Sequence, residues 1–265
     1  TPLAKSRKIL HINIMRLNVY LQKAGIGSRR EAERWIAEGL ITINGKVAAV
    51  TDPVEDGDEV RVDGKLVTLD TKPLPRLFML HKPVDVLTTT YDSQGRKTVY
   101  DLPALNPPNW KKSWPRVMYV GRLDVNSEGL LMFSSDGGLA QAMMSPDTEL
   151  KRVYRVRVRG RLKEGALKKL AAGITVKGVK YKGADITEER EPAGANTWYR
   201  VIITEGKNRE IRKLMERFGC VVNRLIRISY GPFELGDLPI GRIIEIPSTK
   251  VAYFIEELRK RGAKV

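Results

Sequence analysis

From residue 16 the apolar positions first recur at a helical period. Leu17, Tyr20, Leu21 and Ala24 are spaced by three, one and three, which predicts an amphipathic helix, and Gly25 predicts its stop. Ser28 and Glu31 have the S-x-x-E spacing of a capping box, in which each side chain satisfies an orphan backbone N–H. A second helix is therefore expected from Ser28, with Ala32, Trp35 and Ile36 on its buried stripe and Gly39 at its end. The period then falls to two. Leu40-Ile41-Thr42-Ile43, Asn44-Gly45 and Lys46-Val47 read as strand, tight turn and strand, since Asn-Gly accepts the positive φ angles of a hairpin. Another short strand is expected over 59–62, between Asp56-Gly57-Asp58 and Asp63-Gly64. Thr71-Lys72-Pro73-Leu74-Pro75-Arg76 interrupts the pattern, because its prolines can propagate neither a helix nor a central strand. Beyond it, strand-like runs at 77–80, 116–120, 153–159, 198–204, 224–229 and 243–246 are interspersed with helical stretches at 139–144, 163–172, 209–218 and 251–261. Two strand runs near the end follow each other without a helix between them. That argues for an α+β domain with a largely antiparallel mixed sheet over a doubly wound parallel one.

The expected organisation is a basic tail at 1–14 with Met15 a candidate natural start, a small αβ domain at 15–70 and a linker at 71–76. A larger α+β domain at 77–250 and a C-terminal basic helix at 251–265 follow. The stretch 106–115, with three prolines and two tryptophans, reads as an irregular surface loop.

Composition narrows the function classes. In a chain of 265 residues with 42% hydrophobic positions, a real core is affordable and general disorder is excluded. No apolar run approaches the roughly 18 residues of a membrane span. One cysteine, Cys220, and two histidines, His11 and His81, cannot supply a Cys/His zinc site, an iron–sulfur cluster or a disulfide framework. A reduced, cytoplasmic, monomeric protein without metal or organic cofactor is the expectation. The net charge is +16, and residues 151–265 alone carry 27 basic and 13 acidic groups. A field concentrated in this way suits a polyanion, above all a nucleic acid.

The densest chemical signal is Gly121-Arg122-Leu123-Asp124-Val125-Asn126-Ser127-Glu128-Gly129-Leu130-Leu131-Met132. It reads as a strand end, a polar turn closed by Gly129 and an apolar strand. A carboxylate at such a turn either bonds its own backbone, as Asx turns do, or sits in a cleft where burial and a nearby cation tune it. Spacing alone leaves both open. Further along, Ile211, Leu214, Met215 and Phe218 form one stripe of a helix. Arg212 lies about 100° from its centre, at the buried flank, with Arg209 and Lys213 expected to point outward. Asn208 is the candidate N-cap, and Lys207 and Arg209 are candidate phosphate contacts. The Gly-Lys pair lacks the upstream glycine of a P-loop, which excludes that mode of nucleotide binding. Cys220 is expected in the core, and His81 is given no role.

The elements at 15–70 resemble the S4 RNA-binding domain, through Arg16-Leu17, Ala24-Gly25, Ser28-Arg29-Arg30-Glu31-Ala32, Ile36, Gly39 and Ile43-Asn44-Gly45. The resemblance implies that Lys23, Arg29, Arg30 and Arg34 meet RNA. Gly-Arg-Leu-Asp followed by Asn-Ser-x-Gly-Leu-Leu resembles the active-site motif of pseudouridine synthases, in particular the ribosomal RNA branch with an N-terminal S4 domain. Leu150-Lys151-Arg152-Val153-Tyr154-Arg155-Val156, Glu205-Gly206-Lys207-Asn208-Arg209-Glu210-Ile211-Arg212-Lys213 and 222–231 resemble later motifs of that family, in its order. Likeness around 194–198 and 223–231 points to the large-subunit members. What this implies is isomerisation of a uridine in ribosomal RNA to pseudouridine. Asp124 would be the catalytic carboxylate, Tyr154 would stack on the flipped base and Arg212 would pair with Asp124. Arg122, Lys207, Arg209 and Lys213 would be RNA contacts. The alternatives are a non-catalytic S4-type assembly factor and a synthase acting on small-subunit rRNA or tRNA.

Overall fold

The computed structural model describes residues 14–55, 57–68, 74–105 and 114–265, with the side chains of 190–193 set aside. Nearly all of the expected tail, residues 71–73 of the linker and 106–113 of the proline-rich stretch lie outside the described residues. The chain divides into two compact units, one ending before Leu74 and the other beginning there.

In the first unit α1 (Leu17–Lys23) and α2 (Arg29–Ala37) pack on a small antiparallel sheet. The Ser28 hydroxyl accepts from the Glu31 N–H, and the Glu31 carboxylate accepts from the Ser28 N–H at 2.8 Å, so the capping box is complete. Following the short strand β1 (Met15–Arg16), β2 (Ile41–Ile43) and β3 (Lys46–Val47) form the hairpin, with Asn44 at φ 51° and Gly45 at φ 79°. β1 pairs with β4 (Pro53–Val54), while β5 (Val60–Val62) and β6 (Lys65–Val67) complete a four-stranded sheet in the order β3-β2-β5-β6. Leu17, Leu21, Ala32, Ile36, Ile41 and Val60 are its buried centre, so the predicted stripes do face one core.

The second unit is built on a nine-stranded mixed sheet. Its strands are β7 (Leu77–Lys82), β8 (Met118–Val120), β9 (Glu128–Ser134), β10 (Arg152–Arg159), β13 (Asp185–Ala193), β14 (Asn196–Ile203), β15 (Val221–Tyr230), β16 (Phe233–Glu234) and β17 (Ile243–Glu245). A separate hairpin joins β11 (Ile174–Val176) to β12 (Val179–Tyr181). The main path runs β13-β14-β10-β15-β9-β7-β17, with β8 on β9 and β16 on β15. Among the described strands only β9 and β15 run parallel. On one face, α4 (Glu164–Ala172) and α5 (Glu210–Arg217) share a core with Val156, Val158, Tyr199, Val201 and Leu225. On the other, α3 (Gly137–Met144) and α6 (Ser248–Lys260) cover Leu130, Met132 and Leu77. β9 is buried from end to end because helices and strands close both of its faces.

Besides the short strands β1, β4, β6 and β16, two elements lie outside the sequence reading. β13 was not anticipated, since its Asp-Ile-Thr-Glu-Glu-Arg-Glu run offers little apolar alternation. It is the edge strand of the sheet, where charge is tolerated and discourages further pairing. The β11–β12 hairpin was missed because its turn is Lys177-Gly178, at φ 47° and 78°, and lacks the usual Asn-Gly cue.

Candidate active site

The turn between β8 and β9 carries Asp124 at the wall of a cleft of about 450 Å³. Gly129 holds the turn against β15: a Cβ there would stand 2.3 Å from the Arg227 carbonyl oxygen, and its φ is +105°, so only glycine fits. The backbone around Asp124 is fastened from several elements. Thr88 Oγ1 donates to the Leu123 carbonyl at 2.9 Å, and the Asp85 N–H donates to the Val125 carbonyl at 2.9 Å. Arg212 reaches across from α5 and donates through Nη2 to the Asn126 carbonyl at 2.8 Å and through Nη1 to the Val222 carbonyl at 3.2 Å.

Lys82 is the strongest fastening and was not singled out from the sequence. Its ammonium, fully buried, donates to the carbonyls of Pro83 at 2.8 Å, Ser127 at 2.9 Å and Asp124 at 3.3 Å, which uses all three N–H bonds. Burial lowers its pKa from 10.5 to about 8, and the charges of Asp124, Asp85 and Glu128 oppose that fall. The period of two was the available signal: Phe78, Leu80 and Lys82 share the buried face of β7.

The carboxylate itself is held by charge. Asp124 Oδ2 lies 3.8 Å from Arg212 Nε and 3.7 Å from Arg209 Nη1, and it is 28% exposed. Both separations exceed hydrogen-bond length, so the oxygens are attracted yet keep their lone pairs free toward the cleft. Burial lowers the Arg212 pKa, the neighbouring Arg209 adds to the fall and Asp124 opposes it. Arg212 thus takes the predicted position, pairing with Asp124 through the field and hydrogen-bonding the loop behind it. The Asx-turn alternative has no support among the described residues, where no bond from the Asp124 carboxylate to its own turn is formed.

Tyr154 enters from β10, where the even-numbered side chains Tyr154, Val156 and Val158 face the α5 side, and it lines the same cleft as Asp124. Arg122, exposed, and Arg209 stand at its border. Arg209 is exposed, as its outward position implies, and it also leans over Asp124. One expectation fails here. The N-cap is Arg209 and not Asn208, because Arg209 takes a left-handed backbone (φ 52°) and turns the chain one residue later. Glu210 replaces a conventional cap by accepting from the Lys207 N–H at 2.9 Å. Its carboxyl is pushed up to about 7 by burial, with the nearby Glu205 charge adding to the rise.

Lys207 lines the cleft but is already engaged. Its ammonium donates to the Glu205 carboxylate and to the Lys180 carbonyl, and it lies over the Tyr181 ring, so it is poorly placed as a free phosphate contact. Lys213 is half-buried on α5 and does not line the cleft. In the first unit Lys23, Arg29, Arg30 and Arg34 are all exposed, and Arg34 pairs with Glu38 at 3.8 Å. Cys220 is buried in the core as expected. His81 does have a partner: Nδ1 is 2.7 Å from the carbonyl of Leu238, in the connection between β16 and β17. Arg152 and Arg227 are buried cations on the cleft wall, the first donating to the Thr204 carbonyl at 2.9 Å and the second to the Leu130 carbonyl at 2.7 Å.

The cleft and its sheet lie in a segment that is similar to known proteins. The RNA pseudouridylate synthase family profile matches residues 76–217, and the S4 domain profile matches residues 15–60. The chain belongs to the RNA pseudouridylate synthase family. Ribosomal large subunit pseudouridine synthase B of Pseudomonas aeruginosa is 38% identical over 247 residues, covering 92% of this chain and 62% of that protein. The proteins of the same name from Haemophilus influenzae and Escherichia coli K12 are 39% and 38% identical over 254 residues, covering 91% of this chain and 67% and 82% of theirs. The chain therefore spans under two thirds of the Pseudomonas relative's length. A crystal structure of a pseudouridylate synthase superposes with a TM-score of 0.61 at 22% identity, over 92% of this chain and 99% of that one, and shows the same fold. The S4 domain precedes an α+β synthase domain, as expected, and among the described residues no helix is long and apolar enough to cross a membrane.

Proposed function

We propose that this synthase-family chain isomerises a uridine of large-subunit ribosomal RNA to pseudouridine, with Asp124, Tyr154 and Arg212 as its catalytic residues. The observation that carries the reading is the Asp124 carboxylate, framed at 3.7 and 3.8 Å by Arg209 and Arg212 in a cleft that Tyr154 lines. The bond from the ribose C1′ to N1 of the base breaks, the base turns and C1′ joins C5. The C5 proton leaves and N1 gains one, so the product is an isomer and no electrons are exchanged.

Each side chain has a part in that sequence. The base must leave its stack, which costs a few kcal/mol and is cheapest in loops. Tyr154 offers the aromatic platform for the flipped uracil and assists removal of the C5 proton. Asp124, attracted to its arginines but not hydrogen-bonded by them, keeps an oxygen free to meet the sugar or base as the glycosidic bond opens. Arg212 and Lys82 hold the loop, so the carboxylate needs little reorganisation when charge develops. The large-subunit assignment rests on the relatives named above and on the likeness around residues 194–198 and 223–231.

The test is to incubate the purified protein with large- and small-subunit rRNA separately and map pseudouridines by mass spectrometry of nuclease fragments. A new pseudouridine confined to the large-subunit RNA is expected. Tight RNA binding without any pseudouridine would assign the chain to the non-catalytic class instead, and modification confined to the small-subunit RNA would overturn the substrate.

A further inference from the structure

The cleft lies on the α5 side of the sheet. The opposite face of β10, β14 and β15 has its own organisation. Along β10 the odd positions Arg155, Arg157 and Arg159 point there. In register across from them on β14 are Arg200 opposite Arg155 and Trp198 opposite Arg157, and on β15 Arg224 also stands opposite Arg157. α3 and α6 cover this side of the sheet over Leu130, Met132 and Leu77, but Arg159, Arg200 and Arg224 remain exposed.

This arrangement works against the stability of the sheet alone. Directly opposed like charges, Arg155 with Arg200 and Arg157 with Arg224, are destabilising in an antiparallel pair. Two carboxylates compensate in part: Glu189 takes Arg155 at 2.7 Å and Glu128 takes Arg224 at 2.5 Å. Among the described residues no carboxylate forms an ion pair with Arg157, Arg159 or Arg200. The guanidinium groups are also positioned. Arg155 and Arg157 lie 4.9 and 5.8 Å from the centre of the half-buried Trp198 ring. Arg157 Nε donates to Asn223 Oδ1 at 2.7 Å, and Asn223 in turn donates to Asn196 Oδ1 at 2.7 Å. Guanidinium planes ordered around an indole provide charge for phosphates and flat surfaces for unstacked bases.

We propose that this reverse face is a second RNA-binding surface, taking a single-stranded segment separate from the one that enters the cleft. Five arginines against two carboxylates give it the charge to release counterions from a phosphate backbone, which also relieves the opposed cations. It rests on the synthase reading only for the source of the strand, ribosomal RNA.

The test compares the full chain with its Arg157→Gln/Arg159→Gln/Arg200→Gln variant. The probe is a single-stranded RNA of about twelve cytidines, which offers no uridine to the cleft. The expected result is a loss of at least about fivefold in affinity and a log–log salt slope shallower by about 2, from three contacts at ~0.7 each. The single-turnover rate on a saturating minimal stem-loop should stay within about twofold of wild type. Unchanged affinity and slope would overturn the proposal, as would unchanged RNA binding accompanied by lost binding to ribosomal proteins. Should the triple variant fail to fold, Arg200→Cys carrying a photo-crosslinker serves instead, since the chain's own cysteine, Cys220, is buried. RNA crosslinked at position 200 supports the surface, and none overturns it. If pseudouridine forms while the variant binds RNA normally, the surface fails and the enzyme reading stands. If the variant loses binding but the wild type makes no pseudouridine, the reverse holds.

Discussion

In the S4 unit Lys23, Arg29, Arg30 and Arg34 stand in solvent on two short helices, whereas Lys82 and Arg212 beside Asp124 in the synthase unit are wholly or partly buried and tied to backbone carbonyls. Exposed cations act through a screened field, so they serve affinity and are individually replaceable. Lys82 and Arg212 instead fix atoms: each carbonyl they satisfy is one fewer way for the Asp124 loop to move, and removing them leaves buried acceptors unpaired. Under the proposed function one unit would hold RNA and the other would hold a carboxylate still. The S4 unit has about the charge of an ordinary domain, and residues 151–265 carry most of the basic excess, so bulk electrostatic attraction falls to the synthase unit.

The sharpest way to break this division is Asp124→Asn, which removes the reactive charge and almost no volume. The single-turnover rate should fall by at least ~10³-fold while the RNA Kd stays within about threefold, measured on one rRNA fragment. Wild-type turnover by this variant would sink the assignment of Asp124.

Lys82→Met should lower the rate by ~10²-fold and stability by about 2 kcal/mol, as the carbonyls of Pro83, Asp124 and Ser127 lose their donor. The pH dependence is more telling. Because the Lys82 pKa falls from 10.5 to about 8 on folding, the native state gives up this proton first. From this group, stability is lowest below pH 8 and rises between about 8 and 10.5. Activity should move the opposite way over that window, since neutral Lys82 loses a donor and its charge beside Asp124. Rate and urea midpoint measured across pH 7–10 check this, and a rate that stays flat in wild type would remove Lys82 from the positioning machinery.

Replacing Lys23, Arg29, Arg30 and Arg34 together by glutamine should weaken rRNA binding by ~10-fold and flatten the salt slope by up to about 3, with the saturated rate within twofold. A collapse of the saturated rate at unchanged Kd would place the S4 unit in the chemical step and end the comparison.

The smallest effect is expected from Ser28→Ala. Loss of its half of the capping box should cost the S4 unit about 1 kcal/mol, visible in thermal unfolding of the first unit, with turnover at saturating RNA unchanged.

The helix cap at Ser28, the Asn44-Gly45 hairpin and the apolar stripes of α1, α2 and α5 were legible in the chain because each depends on residues within a few positions of one another. Asp124, Tyr154 and Arg212 were legible as residue types at motif spacing, and their convergence on one cleft required the sheet that brings β9, β10 and α5 together. What escaped was decided at long range. Lys82 is 42 residues from Asp124, and its bonds to the Asp124 and Ser127 carbonyls exist only because β7 lies beside β9. Arg209 leans over the carboxylate because a left-handed turn at that one residue redirects the chain, and edge position let the charged β13 become a strand. Local periodicity determined which segments are helices and strands, since it is fixed by neighbours in sequence. Which buried cation meets which carbonyl, and which arginines share the reverse face, was decided by strand pairing, because only the register of distant segments sets those distances.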